Sequence, residues 1–347
     1  MQIKPMGHSG IMVPDLCLGT MTFGTQTSAD DAFAQMDMAV DAGINFFDTA
    51  EMYPVNPIGP ETQGASEQIV GDWLENRGRR SDVIVATKQA GEGVGHIRAG
   101  AAISPDTIPQ AIEGSLRRLK TDHIDLYQFH WPNRGSYMFR QNWDYDPSHQ
   151  NKAETLQHMA DALGALQTQV DRGVIRAFGL SNESAWGTAQ WLRLAEDGGG
   201  PRVATLQNEY SLMCRMYDTD LAELSMNEDV GLLAFSPLAA GYLTGKYQSG
   251  ATPKGSRLEL QPTMGGRLTP RTLPIVQAYL DVFAKYGVDP IHGALAWCRA
   301  RPFMCSAIFG ATNVGQLSHI IAGRDVTLSA DCMNDLNATH RANPMPY

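Results

Sequence analysis

The feature that most constrains this chain is an eightfold alternation of short apolar runs with amphipathic helical stretches. The runs are 16–18, 45–48, 83–87, 124–130, 177–181, 204–207, 231–235 and 306–309. Several are too uniformly apolar to have one wet face, which is the pattern of parallel strands covered on both sides. Helical stretches lie between and after them at 28–42, 67–76, 105–119, 154–172, 184–196, 218–228, 271–286, 290–300 and 314–322. The first opens on Ser28-Ala29-Asp30-Asp31 and stops at Gly43, with a capping residue at one end and a helix-terminating glycine at the other. Pro105 after Ser104 suits the first helical position behind an N-cap. Strand and helix alternating eight times imply a closed parallel (β/α)8 barrel or a long doubly wound sheet. The first 16 residues read as a small β-hairpin with a Gly-containing turn. No linker, repeat or low-complexity run divides the sequence, so residues 1–347 read as one domain.

Composition narrows the function. The net charge of −10 opposes nucleic-acid binding, which needs clustered Lys and Arg against phosphates. No apolar run reaches the roughly 20 residues of a membrane helix, and the N-terminus lacks the apolar core of a signal peptide. Five scattered cysteines without a Cys-x-x-Cys pair suit reduced thiols in the cytoplasm. The oligomeric state is not readable.

Three loops are long: 53–66, 131–152 and 238–269. All follow strands, and the latter two would follow the fourth and seventh. In a barrel such loops build the C-terminal face, where active sites sit.

Candidate chemistry collects at strand ends. Asp48 ends one run, and Tyr53 follows it in Asp48-Thr49-Ala50-Glu51-Met52-Tyr53. Lys88 directly follows another run, and His130 ends a third. Singly, each has a plain structural alternative: Asp48 capping a turn, Tyr53 packing its ring, Lys88 snorkelling to solvent, His130 satisfied in the core. Together they close the second, third and fourth strands, where all four side chains can converge. Hydride addition to a carbonyl carbon leaves an oxyanion that needs a proton. A tyrosine hydroxyl is a weak donor until a neighbouring ammonium lowers its pKa. Asp48 would hold Lys88 charged, and His130 would orient or polarise the carbonyl. No His-x-x-x-His or clustered Cys/His spacing indicates a metal. That argues against a metal-dependent hydrolase.

At these residues the sequence resembles the aldo-keto reductase superfamily. The resemblance rests on Gly19-Thr20-Met21, Gly43-Ile44-Asn45-Phe46-Phe47-Asp48-Thr49-Ala50, Thr87-Lys88, the run from Asp122 to His130, Gly173-Val174-Ile175-Arg176, Gly179-Leu180-Ser181-Asn182, Gln207-Asn208-Glu209-Tyr210, Ser236-Pro237-Leu238 and Gly310-Ala311-Thr312. The 131–152 insertion, opening His130-Trp131-Pro132, makes it similar to bacterial Tas-like NADP(H)-dependent members. The likeness to potassium-channel β subunits is more distant.

The resemblance implies a (β/α)8 TIM barrel with the hairpin covering its bottom. It implies NADP(H) held without a Rossmann unit, a small-molecule carbonyl substrate and a catalytic tetrad of Asp48, Tyr53, Lys88 and His130. Gly19, Thr20, Met21 and Asp48 would also face the cofactor. The carboxamide of nicotinamide would lie on Ser181, Asn182 and Gln207, with Phe235 stacked on its ring. Ser236, Pro237, Leu238, Gly241, Lys246, Ser256 and Arg257 match the phosphate-binding loop. Gly310, Thr312 and Gln316 match the segment holding the adenosine half. His319-Ile320 stand where relatives commonly carry Glu-Asn, so His319 is an alternative contact for adenine or the 2′-phosphate. The competing function is a nicotinamide-binding regulatory or scaffold subunit with little turnover.

Overall fold

The computed structural model describes residues 1–347. Strands β1 (Ile3–Pro5) and β2 (Met12–Pro14) form an antiparallel pair. The next eight are β3 (Leu16–Gly19), β4 (Phe46–Asp48), β5 (Ile84–Gln89), β6 (Ile124–Phe129), β7 (Ile175–Ser181), β8 (Val203–Glu209), β9 (Gly231–Phe235) and β10 (Met304–Phe309). They are all parallel and close into a barrel, each beside its sequence neighbour and β10 beside β3. Closure excludes the doubly wound sheet.

The helices are α1 (Ala29–Asp41), α2 (Ala65–Arg77), α3 (Thr107–Leu119), α4 (Lys152–Asp171), α5 (Ala185–Leu194), α6 (Asp220–Glu228), α7 (Arg257–Leu260), α8 (Thr272–Lys285), α9 (Pro290–Arg299), α10 (Val314–Ala322) and α11 (Ala330–Ala342). Helix α3 starts two residues later than the Ser104-Pro105 signal suggests. Ser104 does act as a cap, since its Oγ accepts from the Thr107 N–H at 3.2 Å and its carbonyl from Ile108 at 3.0 Å. The next backbone bond is missing because Pro109 has no N–H. Helix α11 has no counterpart in the sequence reading. Only Cys332 and Leu336 of its 13 residues are buried, which is too sparse a stripe to show as a period.

The period of two along each strand sorts side chains between two apolar clusters. Phe46, Ala86, Leu126, Ala177 and Leu233 belong to a cluster of 12 buried residues. Their neighbours Phe47, Val85, Tyr127, Phe178, Leu232 and Ala234 belong to a cluster of 64 shared with the helices. The smaller cluster is the barrel interior. It includes Met6, Ile11 and Val13, so the hairpin plugs the end where the strands begin. Each such side chain contributes about 1.5–3 kcal/mol on burial. Two residues further along the same inward columns stand Asp48 above Phe46, Lys88 above Ala86 and Gln128 above Leu126. The register that fills the barrel bottom with hydrocarbon therefore aims these polar groups at its mouth.

Candidate active site

Lys88 lies inside β5 rather than after it, and it is fully buried. Its Nζ donates to Asp48 Oδ2 at 2.6 Å, to the Thr49 carbonyl at 2.8 Å and to the Tyr53 hydroxyl at 3.5 Å. It also sits 4.8 Å from the Tyr53 ring centroid. The other oxygen of Asp48, Oδ1, accepts from Gln207 Nε2 at 2.8 Å and Gln128 Nε2 at 3.4 Å. Asp48 is thus bonded on both oxygens, as a buried carboxylate must be. The His130 ring lies edge-on to Tyr53, with centroids 5.7 Å apart. The structure therefore brings Asp48, Tyr53, Lys88 and His130 together.

Burial works against the charge on Lys88, but Asp48 and Tyr53 outweigh it and hold its pKa above the usual lysine value. Burial pushes the Tyr53 phenol up; Lys88 pulls it down and Asp48 adds to the rise, leaving it above its usual value. The downward pull expected of Lys88 is present but does not win, so Tyr53 keeps its proton at neutral pH. Burial, reinforced by Lys88, drives the His130 pKa well below the usual histidine value. His130 is therefore a neutral imidazole, and its buried Nδ1 has no hydrogen-bond partner.

The carboxamide-binding candidates form a chain of their own. Asn182 Nδ2 donates to the His130 carbonyl at 2.9 Å and to Ser181 Oγ at 3.0 Å. Ser181 Oγ in turn donates to the Gln207 carbonyl at 2.8 Å. The Gln207 amide N–H groups are taken by Asp48 and by Gln128 Oε1 at 3.2 Å. Gln207 thus offers a ligand only its carbonyl oxygen. Asn182 Oδ1 is buried without a partner. Two acceptors at adjacent strand ends fit the amide N–H₂ of a carboxamide. Asn182 Oδ1 and the Gln207 side-chain oxygen are the acceptors left for that group.

Two glycines near them are required by the backbone. A Cβ on Gly19 would stand 2.9 Å from Ile308 Cγ2 and 3.2 Å from the Phe309 carbonyl, so β3 and β10 can pair this closely only with glycine there. Gly241 has φ +97°, a conformation that side chains resist. Thr20 is buried and donates to the Asp48 carbonyl at 3.0 Å. Phe235 ends β9 half-buried, and Ser236, Pro237 and Leu238 follow it.

Positive charge comes from the loop after β9. Ser256 caps α7, accepting from the Glu259 N–H at 3.4 Å. Lys246 is exposed, 5.1 Å from the Tyr247 ring centroid. Arg257 is half-buried, and the only hydrogen-bond contact of its guanidinium is a weak one, Nη2 to Met21 Sδ at 3.8 Å. Desolvation and the neighbouring Arg267 lower its pKa to about 10. An unpaired guanidinium in such a place suits an anion. Next to that loop, after β10, Gln316 Oε1 accepts from the Thr312 N–H at 3.0 Å, and Gly310 is exposed beside them.

Several placements differ from expectation. His319 Nε2 lies 3.1 Å from Asp289 Oδ2, so in this structure the ring is paired with a carboxylate. Ile320 is buried. Of the five aromatic residues in the 131–152 insertion, Trp131 alone reaches the tetrad, its ring centroid 5.0 Å from that of His130. Trp143 and Phe139 are exposed, at 59% and 40%. The insertion instead roofs a cavity of about 600 Å³ lined by Trp131, Arg134, Tyr145, His149, His158 and Ser181, among others. Sequence reading missed Gln128, which braces both Asp48 and Gln207. The signal was available: Gln128 lies midway between Leu126 and His130 on the inward column of β6.

A closed parallel barrel with a buried Lys–Asp pair, a tyrosine and a neutral histidine at its mouth describes a class of barrel oxidoreductases. Comparison with known sequences gives the family. The pattern of the Aldo/keto reductase family matches residues 15–341, and the chain belongs to that family. Its relatives include the Protein tas of Escherichia coli (strain K12), 42% identical over 100% of this chain and 99% of that protein. The Uncharacterized oxidoreductase YrpG of Bacillus subtilis is 32% identical over 97% of this chain and 95% of its own. A Probable voltage-gated potassium channel subunit beta of Oryza sativa subsp. japonica is 31% identical over 99% and 98%. The chain is an oxidoreductase, and no helix is long and apolar enough to cross a membrane.

Proposed function

We propose that this chain, read as one barrel domain over residues 1–347, is an NADP(H)-dependent reductase of aldehydes and ketones. Tyr53 acts as the general acid. The observation that carries the reading is the fully buried Lys88, bonded to Asp48 and reaching Tyr53, beside a neutral His130.

The cofactor, when bound, supplies the hydride. Ser181, Asn182 and Gln207 would hold its carboxamide and Phe235 its ring. Lys246, Ser256 and Arg257 would hold phosphate, and Gly310, Thr312 and Gln316 the adenosine half. The remaining chemistry belongs to the protein. A substrate carbonyl oxygen placed between Tyr53 and His130 is polarised by the imidazole and takes its proton from the phenol. Lys88 stabilises the phenolate left behind, and Asp48 keeps Lys88 charged and positioned. Such a general acid is typically worth about 10²–10⁴-fold in rate. Five free cysteines, four of them buried, suit the reducing cytoplasm.

The test is a panel of aldehydes and ketones offered with NADPH to the purified chain, following loss of the reduced cofactor. Repeated turnover on several members is expected. A single hydride transfer with no steady turnover would support a regulatory subunit and overturn the enzyme reading.

A further inference from the structure

The proposed reductase chemistry leaves a second cluster unused. Asp289 immediately precedes α9, His292 lies in its first turn, and His319 comes from α10. Their ligand atoms all fall within 4.8 Å of one another. We propose that Asp289, His292 and His319 form a binding site for a divalent transition metal of the zinc type, which clasps α9 to α10.

The donor atoms are arranged for it. His319 Nε2 stands 3.1 Å from Asp289 Oδ2, and His292 Nδ1 stands 3.9 Å from Asp289 Oδ1. Tetrahedral zinc with bonds of about 2.0–2.2 Å places neighbouring ligand atoms about 3.3–3.6 Å apart, and the two histidine–carboxylate separations, one to each oxygen of Asp289, fall on either side of that range. The tautomer of His292 is an independent observation. Its Nε2 is 2.7 Å from the His319 carbonyl, an atom that can only accept. Nε2 therefore carries the proton and Nδ1 presents its lone pair toward Asp289. A metal-binding histidine whose other nitrogen donates to a backbone carbonyl is the usual supporting arrangement around zinc.

The other ligands are also held in place. Asp289 Oδ1 accepts from the Ile291 and His292 N–H groups at 2.9 and 3.1 Å, which fixes the carboxylate. The two imidazoles stack with centroids 4.6 Å apart and 26° between their planes, so one ring turns for both nitrogens to meet a single ion. Gly323 leaves room for the His292 ring, since a Cβ there would lie 2.2 Å from it. The His319 side chain is 46% exposed, so an ion can enter from solvent. Two imidazoles and one carboxylate select zinc, cobalt or nickel over calcium and magnesium, which prefer all-oxygen sets. Water would fill the fourth position. Binding needs the His319 Nε2 lone pair, so any proton there moves to Nδ1 or to solvent.

The experiment uses the full chain without a histidine tag, stripped with chelator and titrated with Zn²⁺ by calorimetry. Titration with Co²⁺ is followed by visible absorption. One ion per chain is expected, with the intense bands of tetrahedral cobalt. Affinity should fall at least about 10-fold in His319→Ala and in His292→Ala. It should persist in His123→Ala, which removes the other histidine placed beside two aspartates. Saturating Zn²⁺ should raise the melting temperature of the wild type by a few degrees and leave His319→Ala unmoved. His319→Gln stands in if the alanine variant does not fold. No saturable binding, or affinity unchanged in the His319 variant, would show an ion pair and ring stack only, and would overturn the site.

Discussion

At the scale of single residues, the site is a set of opposed electrostatic demands. Lys88 and Asp48 are both buried, and neither can be removed alone without stranding a charge. Lys88→Met should lose about 3–5 kcal/mol of stability, read by chemical denaturation. Adding Asp48→Asn should restore much of it. The double variant should still bind NADPH but remain slow, because Tyr53 has lost its cation. Recovery of both stability and near-wild-type turnover would make the pair structural. His130 gives a pH signature. Its folded pKa lies well below 6.5 because of burial and Lys88, whereas the unfolded chain protonates near 6.5. Below that pH the unfolded state binds more protons, so stability falls as pH falls through this window. In His130→Gln the loss between pH 7 and pH 5 should be shallower, provided the variant folds. An unchanged slope would mean that His130 is not held neutral.

At the scale of elements, the loop after β9 should decide cofactor choice. Arg257 is an unpaired guanidinium there, and its planar fork suits a phosphate. Arg257→Ala should weaken NADPH binding by at least about tenfold, the loss of one charge-assisted contact, and leave NADH nearly unchanged. Fluorescence titration with each cofactor reads the difference, and equal losses would move Arg257 off the 2′-phosphate. The elements differ in how far the sequence reveals them. All eight barrel strands stand out because several runs, such as Gly231–Phe235, are apolar on both sides. The strand-end positions of Asp48 and His130 follow from the same runs. Less legible was whatever depends on contacts distant in sequence. The start of α3 turns on the missing N–H of Pro109, and α11 packs with too few buried residues to show a stripe. Gln128 reads as one more strand residue until Asp48 and Gln207 are seen against it. The pairing of His319 with Asp289 joins residues from separate helices.

At the scale of the whole molecule, one register serves stability and chemistry. The inward columns carry hydrocarbon at the end plugged by the hairpin and polar groups at the other. The scaffold can be packed tightly below while the mouth holds buried charge above. Relatives with names that point to different roles, an oxidoreductase of Bacillus subtilis and a probable potassium channel subunit of rice, match the chain over nearly its whole length. In the proposed reading, the proton supply at the mouth is Tyr53. The most direct test compares wild type with Tyr53→Phe, measuring carbonyl reduction and NADPH affinity on the same preparations. The variant should lose about 10²–10⁴-fold in turnover with NADPH affinity within about twofold, since only the phenol proton is gone. Retention of most wild-type turnover in Tyr53→Phe would contradict the account.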